Sequence, residues 1–189
     1  GKIVWRTIPE VNTKVAELMI GSLDWIWLVP KDQAKKLAEV PNLTVVAAET
    51  MRIGFLMMDA ANRTEKTLGV DNPFKKLKVR QAVNHAINRE SICKNLVGGQ
   101  SRVVHSACFP TQFGCYQDVV KYEYDPEKAK KLLAEAGYPD GFECTLHGYR
   151  DRPYAEAIVG DLREVGIKAN LLMLKYAALR EKTQAGKVQ

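Results

Sequence analysis

The chain has 189 residues, of which 46% are hydrophobic and 26% are charged, and its 28 basic and 22 acidic residues give a net charge of +6. This ordinary globular composition excludes a disordered tail, a collagen and a disulfide-dense miniprotein, and a chain of this length buries about 70% of its unfolded surface without help from a metal. No uncharged apolar run reaches the roughly 18 residues of a membrane span, and no signal peptide is visible after Gly1. We therefore expect one domain, excised from a longer protein.

Strands and helices are predicted to alternate along the first half of the chain. The expected strands cover residues 2–8, 24–29, 43–48 and 53–58, and the last is apolar on both faces, as in a central strand. Helices are predicted after capping residues near position 12 and after Pro30. The clearest helix covers residues 79–87, where apolar side chains recur at i, i+3, i+4, i+7 and i+8. A short helix over 90–97 follows it, closed by Gly98-Gly99.

The second half continues the alternation after a long loop. Residues 100–124 show no sustained periodicity, and a loop of that length is usually functional. Asp125-Pro126-Glu127 predicts a helix start, because it combines a capping side chain, a first-turn proline and an acid near the positive end of the helix dipole. The remaining expected elements are a strand over 142–149, a helix over 154–165, a strand over 167–174 and a last helix over 176–185. The alternation predicts an α/β fold with a mixed β-sheet flanked by helices, in a single domain over residues 1–189.

The positive net charge is compatible with an anionic partner such as nucleic acid. The lysines, however, form two local clusters, at 75–78 and 128–131, and the second lies beside Glu127 and Glu135 on a predicted helix. This arrangement is typical of a solvated helix face. A basic nucleic-acid-binding module is therefore kept as an alternative, which predicts an affinity that falls steeply with salt.

The sequence lacks the common cofactor and catalytic motifs. It contains no G-x-G-x-x-G, no G-x-x-x-x-G-K-[ST], no H-E-x-x-H and no G-x-S-x-G. No two of the three histidines have a metal-ligand spacing, and His85, off the apolar face of its helix, is expected to be exposed. We expect no catalytic residue, no metal and no cofactor. An enzyme with an unrecognised site is the less favoured alternative, and it predicts acid–base residues that converge in one pocket.

Two of the four cysteines bracket part of the long loop. A disulfide between Cys108 and Cys115 would close residues 109–114 in an oxidising compartment, and the chain-entropy treatment assigns such a ring roughly 2–3 kcal/mol. Cys93 and Cys144 resemble small buried thiols. The alternative is that all four are free thiols, since no C-x-x-C motif occurs.

The most suggestive polar cluster, YRDRPY at residues 149–154, joins a predicted strand to a predicted helix. Arg150 and Arg152 oppose the helix dipole, which favours anions at this end. Guanidinium groups beside free backbone N–H groups make a carboxylate or phosphate site, and ligands of open α/β sheets bind at such turns. The alternative is that Asp151 neutralises one arginine while the other is solvated.

Two long segments carry a resemblance to a known family. Residues 72–92, NPFKKLKVRQAVNHAINRESI, look like the "PF-x-D-x-R-V-R-Q-A-x-x-x-A-I-D-R-x-x-I" stretch of the peptide-binding proteins of ABC importers, and residues 125–138, DPEKAKKLLAEAGY, resemble their "Y-D-P-E-K-A-K-x-L-L-x-E-A-G-Y". Two shorter matches, at 21–24 and 165–168, keep the family's order. The chain thus resembles the dipeptide- and oligopeptide-binding proteins, solute-binding protein family 5. Leu77 and Asn88 depart from the pattern, and we expect them to affect helix capping more than ligand choice.

The resemblance implies one lobe of a receptor. That lobe is the second, inserted lobe of a two-lobed, type II periplasmic-binding-protein fold, and the receptor is not an enzyme. The implied partners are a peptide or similar small-molecule ligand, the membrane permease of an ABC importer and the protein's own first lobe, with no nucleic acid. The implied location is periplasmic or otherwise extracytoplasmic, as a cell-surface lipoprotein in a Gram-positive bacterium.

The resemblance also implies which residues bind the ligand. In dipeptide binders of the family, an arginine in an "R-P-Y" at the strand-to-helix turn takes the ligand carboxylate, and this sequence reads Arg152-Pro153-Tyr154 there. We expect Arg152 to bind an anion, with Arg150 and Tyr154 as second candidates. A strand at the position of residues 53–59 also lines the family's cleft. Met57 is therefore a further candidate, with a core position as its alternative.

Overall fold

The computed structural model describes residues 1–48, 50–98 and 101–188. Residues 1–48 and 49–189 form two compact units, and the single domain over the whole chain stays a prediction. Gly99 and Gln100, where the sequence predicts a helix end and the start of the long loop, lie outside the described residues. None of the described helices has the length and hydropathy that crossing a membrane requires.

The first unit contains two helices, α1 (Val11–Met19) and α2 (Lys31–Ala38). The strands predicted at 2–8, 24–29 and 43–48 are wrong for the described residues, which form no strand there. An alternating apolar pattern favours an extended backbone, but a strand also needs a neighbour to pair with. Three tryptophans on these segments pack together instead, with ring centroids 5.3 to 6.2 Å apart and more than half of each residue exposed: Trp5, Trp25 and Trp27.

The second unit is built on a parallel pair of strands. Strand β1 (Phe142–Gly148) pairs with β2 (Ile167–Met173) in a register that runs from Phe142↔Ile167 to Gly148↔Met173. Helix α7 (Arg152–Glu164) connects them. At the start of the strands, a Cβ on Gly141 would lie 2.0 Å from the backbone oxygen of Gly166, and φ of Gly141 is 76°. Only glycine fits this close approach.

The second unit contains several further helices. They are α3 (Arg63–Leu68), a 3-10 turn (Pro73–Lys75), α4 (Leu77–Ala86), α5 (Arg89–Ile92) continued by a π turn (Cys93–Val97), α6 (Pro126–Glu135) and α8 (Tyr176–Gln184). The core joins α4, α6, α7 and the sheet through Val79, Val83, Leu133, Leu162 and Ile167, each at most 4% exposed. The α/β class is confirmed, and the sheet of the described residues is two-stranded and parallel.

Segment 53–58 is not a central strand, contrary to the prediction, and it lies outside the described sheet. Leu56 and Met58 pack against the core, whereas Phe55 and Met57 are 70% and 63% exposed. Leu56 and Met58 are thus partly buried while Phe55 and Met57 face solvent, so the apolar run does not mark a strand that is buried on both faces.

The long loop packs against α4. His85, predicted to be exposed, is only 6% exposed, because its Nδ1 lies 2.8 Å from the Glu123 carbonyl oxygen and its ring meets that of Tyr122 edge to face.

A disulfide joins Cys108 and Cys115, whose Cα atoms are 5.7 Å apart. Burial raises the pKa of the Cys144 thiol to about 11, so it stays protonated and packs as an apolar group.

Candidate functional site

The candidate site lies at the carboxyl ends of β1 and β2. Parallel strands place these ends at one edge of the sheet, which is where open α/β sheets bind ligands. The backbone N–H of Leu174 donates to the Gly148 carbonyl at 2.7 Å, so the pairing extends to the last residues of both strands. The turn at residues 149–151 and the start of α8 at Tyr176 therefore meet at this edge.

Asp151 shapes the turn between β1 and α7. It occupies the N-cap position with φ 54° and ψ 49°, a left-handed conformation that Asp tolerates better than most residues, and its side chain does not cap the helix. Instead its Oδ2 lies 3.6 Å from Nη2 of Arg52. Asp151 is therefore paired with an arginine from a distant segment, and the neutralisation of Arg150 or Arg152 by Asp151 does not occur. The sequence offers no local signal for Arg52.

Arg152 is the first residue of α7. Its Nη1 donates to Oε1 of Glu156 at 2.9 Å, and the two side chains are 61% and 54% exposed. Such a surface pair contributes only about 0.3–0.5 kcal/mol, and an arginine placed before its acid also opposes the helix dipole. The guanidinium is thus available to a better-placed anion.

Arg150 lies against an aromatic pair. Its guanidinium carbon is 5.8 Å from the centroid of the Tyr149 ring, whose centroid is in turn 5.1 Å from that of Tyr176. Within the described part of the chain, no ion pair is found for Arg150. Tyr176 was missed at the level of sequence, because it follows β2 and only the pairing of the strands brings it to Tyr149.

Two neutral groups complete the edge. Partial burial, and then the charge of Asp151, raise the pKa of the Tyr154 phenol, so its hydroxyl stays protonated at neutral pH and can donate a hydrogen bond. Burial, and then the nearby Lys182, lower the pKa of His147. The positive charge at this edge therefore comes from arginine and lysine side chains and not from histidine.

Met57 is exposed rather than buried in the core. Arg52, which directly precedes its segment, contacts the turn through Asp151. Arg150 thus lies in the turn and Arg152 and Tyr154 lie in the first turn of α7, while the ligand-binding role of all four candidates stays a prediction.

The site combines guanidinium groups with aromatic rings on an open surface. This combination suits binding of an anionic organic molecule, since guanidinium forks pair with carboxylates and rings stack on flat groups. Across residues 1–48, 50–98 and 101–188, no group of three or more His, Cys, Asp or Glu side chains is placed to hold a metal ion.

A family model and several relatives match this chain. The model described as "Bacterial extracellular solute-binding proteins, family 5 Middle" matches residues 1–189. The glutathione-binding protein GsiB of Salmonella choleraesuis is 35% identical over 173 residues, which are 89% of this chain and 32% of that protein. Heme-binding protein A of Haemophilus influenzae is 29% identical over 195 residues, 99% of this chain and 34% of that protein. The chain thus spans about a third of the length of these curated relatives.

Two solved structures share the fold. A dipeptide-binding protein from Pseudoalteromonas sp. SM9913, in complex with Met-Leu, is 26% identical with a TM-score of 0.80, over 96% of this chain and 36% of that chain. The periplasmic binding protein DppA from Helicobacter pylori, in complex with the peptide STSA, is 28% identical with a TM-score of 0.78, over 94% and 33%. Both likenesses extend over nearly the whole chain.

Proposed function

Because this chain belongs to the bacterial extracellular solute-binding proteins of family 5, we propose that it is part of the substrate-binding component of an ABC importer. It contributes one wall of a cleft that binds a peptide or a similar small solute, not a nucleic acid, and it makes and breaks no bond. The observation that carries this proposal is the exposed Arg152 guanidinium at the carboxyl edge of the sheet.

The proposed mechanism is closure of a two-lobed receptor. The ligand binds the closed form better than the open form and so shifts the equilibrium between them by hinge motion. The closed receptor then delivers its ligand to the membrane permease. The proposed partners are the ligand, the permease subunits and the protein's own first lobe, and the proposed location is the periplasm or the outer surface of the cytoplasmic membrane.

The chemistry of the edge favours a carboxylate ligand. Two solved relatives hold peptides, Met-Leu and STSA, and a free peptide ends in a carboxylate. A guanidinium binds a carboxylate through two parallel hydrogen bonds. For Arg152, such a pair would replace the solvent-exposed contact with Glu156, which is weak because water and salt screen it.

Calorimetric titration of the full-length protein with the dipeptide Met-Leu tests this proposal. We expect Arg152→Ala to weaken binding by more than about 1 kcal/mol, or at least fivefold in Kd. The control is Lys130→Ala, which removes an exposed cation from α6 and is expected to leave the affinity unchanged. Equal affinity of wild type and Arg152→Ala would overturn the role of Arg152.

A further inference from the structure

A pair of exposed tyrosines marks the end of both strands. Tyr149 directly follows β1, and Tyr176 begins α8 two residues after Leu174. Their ring centroids are 5.1 Å apart, with the ring planes inclined by 55°. The two residues remain 47% and 60% exposed. The parallel pairing therefore builds an aromatic surface that neither local sequence contains.

This surface is bordered by positive charge. The Arg150 guanidinium lies near the Tyr149 ring at 5.8 Å, and Lys175 immediately precedes Tyr176 as the N-cap residue of α8. Aromatic faces flanked by cations suit a ligand that carries both a flat ring and an acid, because the ring stacks while the acid pairs with the cations.

Packing of the sheet alone does not account for the pair. A tyrosine that only closes the end of a sheet would bury most of its ring, whereas these two residues leave about half of their surface in solvent. The two rings are tilted against each other and the Arg150 guanidinium lies over the Tyr149 ring, so the part of the pair that a third ring can cover is its exposed surface. The pair is held in place because Tyr149 directly follows β1 and because Leu174, two residues before Tyr176, is hydrogen-bonded to Gly148.

We propose that Tyr149 and Tyr176 form a specificity-determining subsite for an aromatic side chain at the carboxyl terminus of a peptide ligand. The inference rests on the proposed function, because it takes the ligand carboxylate to be held by Arg152. In a peptide whose last residue is aromatic, the ring and the carboxylate branch from the same Cα. One turn can therefore bind both, the carboxylate at Arg152 and the ring at the tyrosine pair.

The test compares two dipeptides by calorimetry on the full-length protein. Ala-Phe and Ala-Leu share a backbone and a carboxylate and differ in the ring. We expect wild type to bind Ala-Phe more tightly, and Tyr176→Leu to weaken Ala-Phe binding about three- to tenfold while changing that of Ala-Leu less than twofold. Tyr176→Phe keeps the ring without the hydroxyl and is expected to bind both dipeptides like wild type.

The outcomes separate this inference from the proposed function. An equal loss for both dipeptides in Tyr176→Leu would show a structural role and overturn the subsite, as would a wild type that binds both dipeptides equally well. A folded wild type that binds neither dipeptide would overturn the proposed peptide-binding function, and the subsite with it. Weakening of both dipeptides by Arg152→Ala, with the preference for Ala-Phe retained, would support the two separate contacts.

Discussion

At the scale of single residues, backbone geometry rather than side-chain chemistry decides some positions. Gly141 and Gly166 both have positive φ, at 76° and 92°, and their backbones meet where β1 and β2 begin. Asp151 adopts a similar left-handed backbone at the other end of β1. Gly141 and Gly166 must therefore lack a Cβ, whereas Asp151 is tolerated at its position because its short polar side chain suits the left-handed conformation.

We expect Gly141→Ala to destabilise the protein by more than about 1 kcal/mol, because a Cβ would overlap the Gly166 backbone oxygen in a disfavoured conformation. Gly160→Ala is the matched control. Gly160 lies inside α7 with open space around it, so alanine there should stabilise the helix by about 0.5–1 kcal/mol. Urea denaturation followed by circular dichroism measures both changes. A neutral Gly141→Ala would contradict the close approach.

At the scale of elements, the helix start at Asp125 is held by local and distant contacts. Its Oδ1 accepts a hydrogen bond from the backbone N–H of Lys128 at 2.9 Å, as the sequence predicts for a capping residue. Its own N–H donates to the carbonyl of His85 at 2.8 Å. The same residue therefore begins α6 and ties it to the end of α4.

Replacing the cap isolates its contribution. Asp125→Ala should cost about 1 kcal/mol of unfolding free energy, since it removes the side-chain acceptor, whereas Asp125→Asn should be nearly neutral because Asn caps as well as Asp. Thermal and urea unfolding of the two variants give the comparison. If Asn proved as damaging as Ala, the negative charge and not the hydrogen bond would be what stabilises α6.

Helices were predictable and most strands were not, for a physical reason. A helix depends on contacts within a few residues, so the periodicity at 79–87 and the cap at Asp125 were sufficient to place α4 and α6. A strand needs a partner distant in sequence, which was found for β1 and β2 but not, within the described residues, for segment 53–58. The burial of His85 by Glu123 and the pairing of Arg52 with Asp151 are likewise long-range contacts. The candidate turn was predictable, whereas its aromatic half at Tyr176 was not.

At the scale of the second unit, carboxylates join its peripheral segments to the core. Asp59 accepts hydrogen bonds from the backbone N–H and hydroxyl of Thr64 at 2.7 and 2.8 Å and from the Asn72 side chain at 3.1 Å. The same hydroxyl oxygen lies 3.0 Å from the Val188 carbonyl oxygen, which is an alternative acceptor for its one proton. The Asp59 carboxylate thus joins residues 59, 64 and 72, and Thr64 brings this group next to Val188 near the other end of the chain.

Stability should therefore fall in acid. Partial burial raises the pKa of Asp59, but the hydrogen bonds from Thr64 and Arg63 outweigh it and leave the pKa below the ordinary value of 3.8. A lowered folded-state pKa stabilises the protein above the unfolded pKa, and this contribution is lost as pH falls through the folded one. Burial raises the pKa of Asp161, so the contribution of this residue to stability changes with pH in the opposite direction.

Thermal melting between pH 6 and pH 3 tests this expectation. We expect the melting temperature of wild type to decrease towards pH 3, and that of Asp59→Asn to start lower and to decrease less steeply. Asp161→Asn is the control, with a decrease at least as steep as that of wild type. Identical slopes for wild type and Asp59→Asn would show that another group controls the acid sensitivity.

The tryptophan cluster has an optical consequence. All three tryptophans of the chain, Trp5, Trp25 and Trp27, belong to the first unit, whereas the candidate site carries tyrosines. When the chain is excited at the red edge of its absorption band, its intrinsic fluorescence therefore originates from the tryptophans in residues 5–27. Indole rings 5.3 to 6.2 Å apart are also close enough for their electronic transitions to mix. Tryptophan emission thus reports on the first unit, whereas all seven tyrosines of the chain lie in the second.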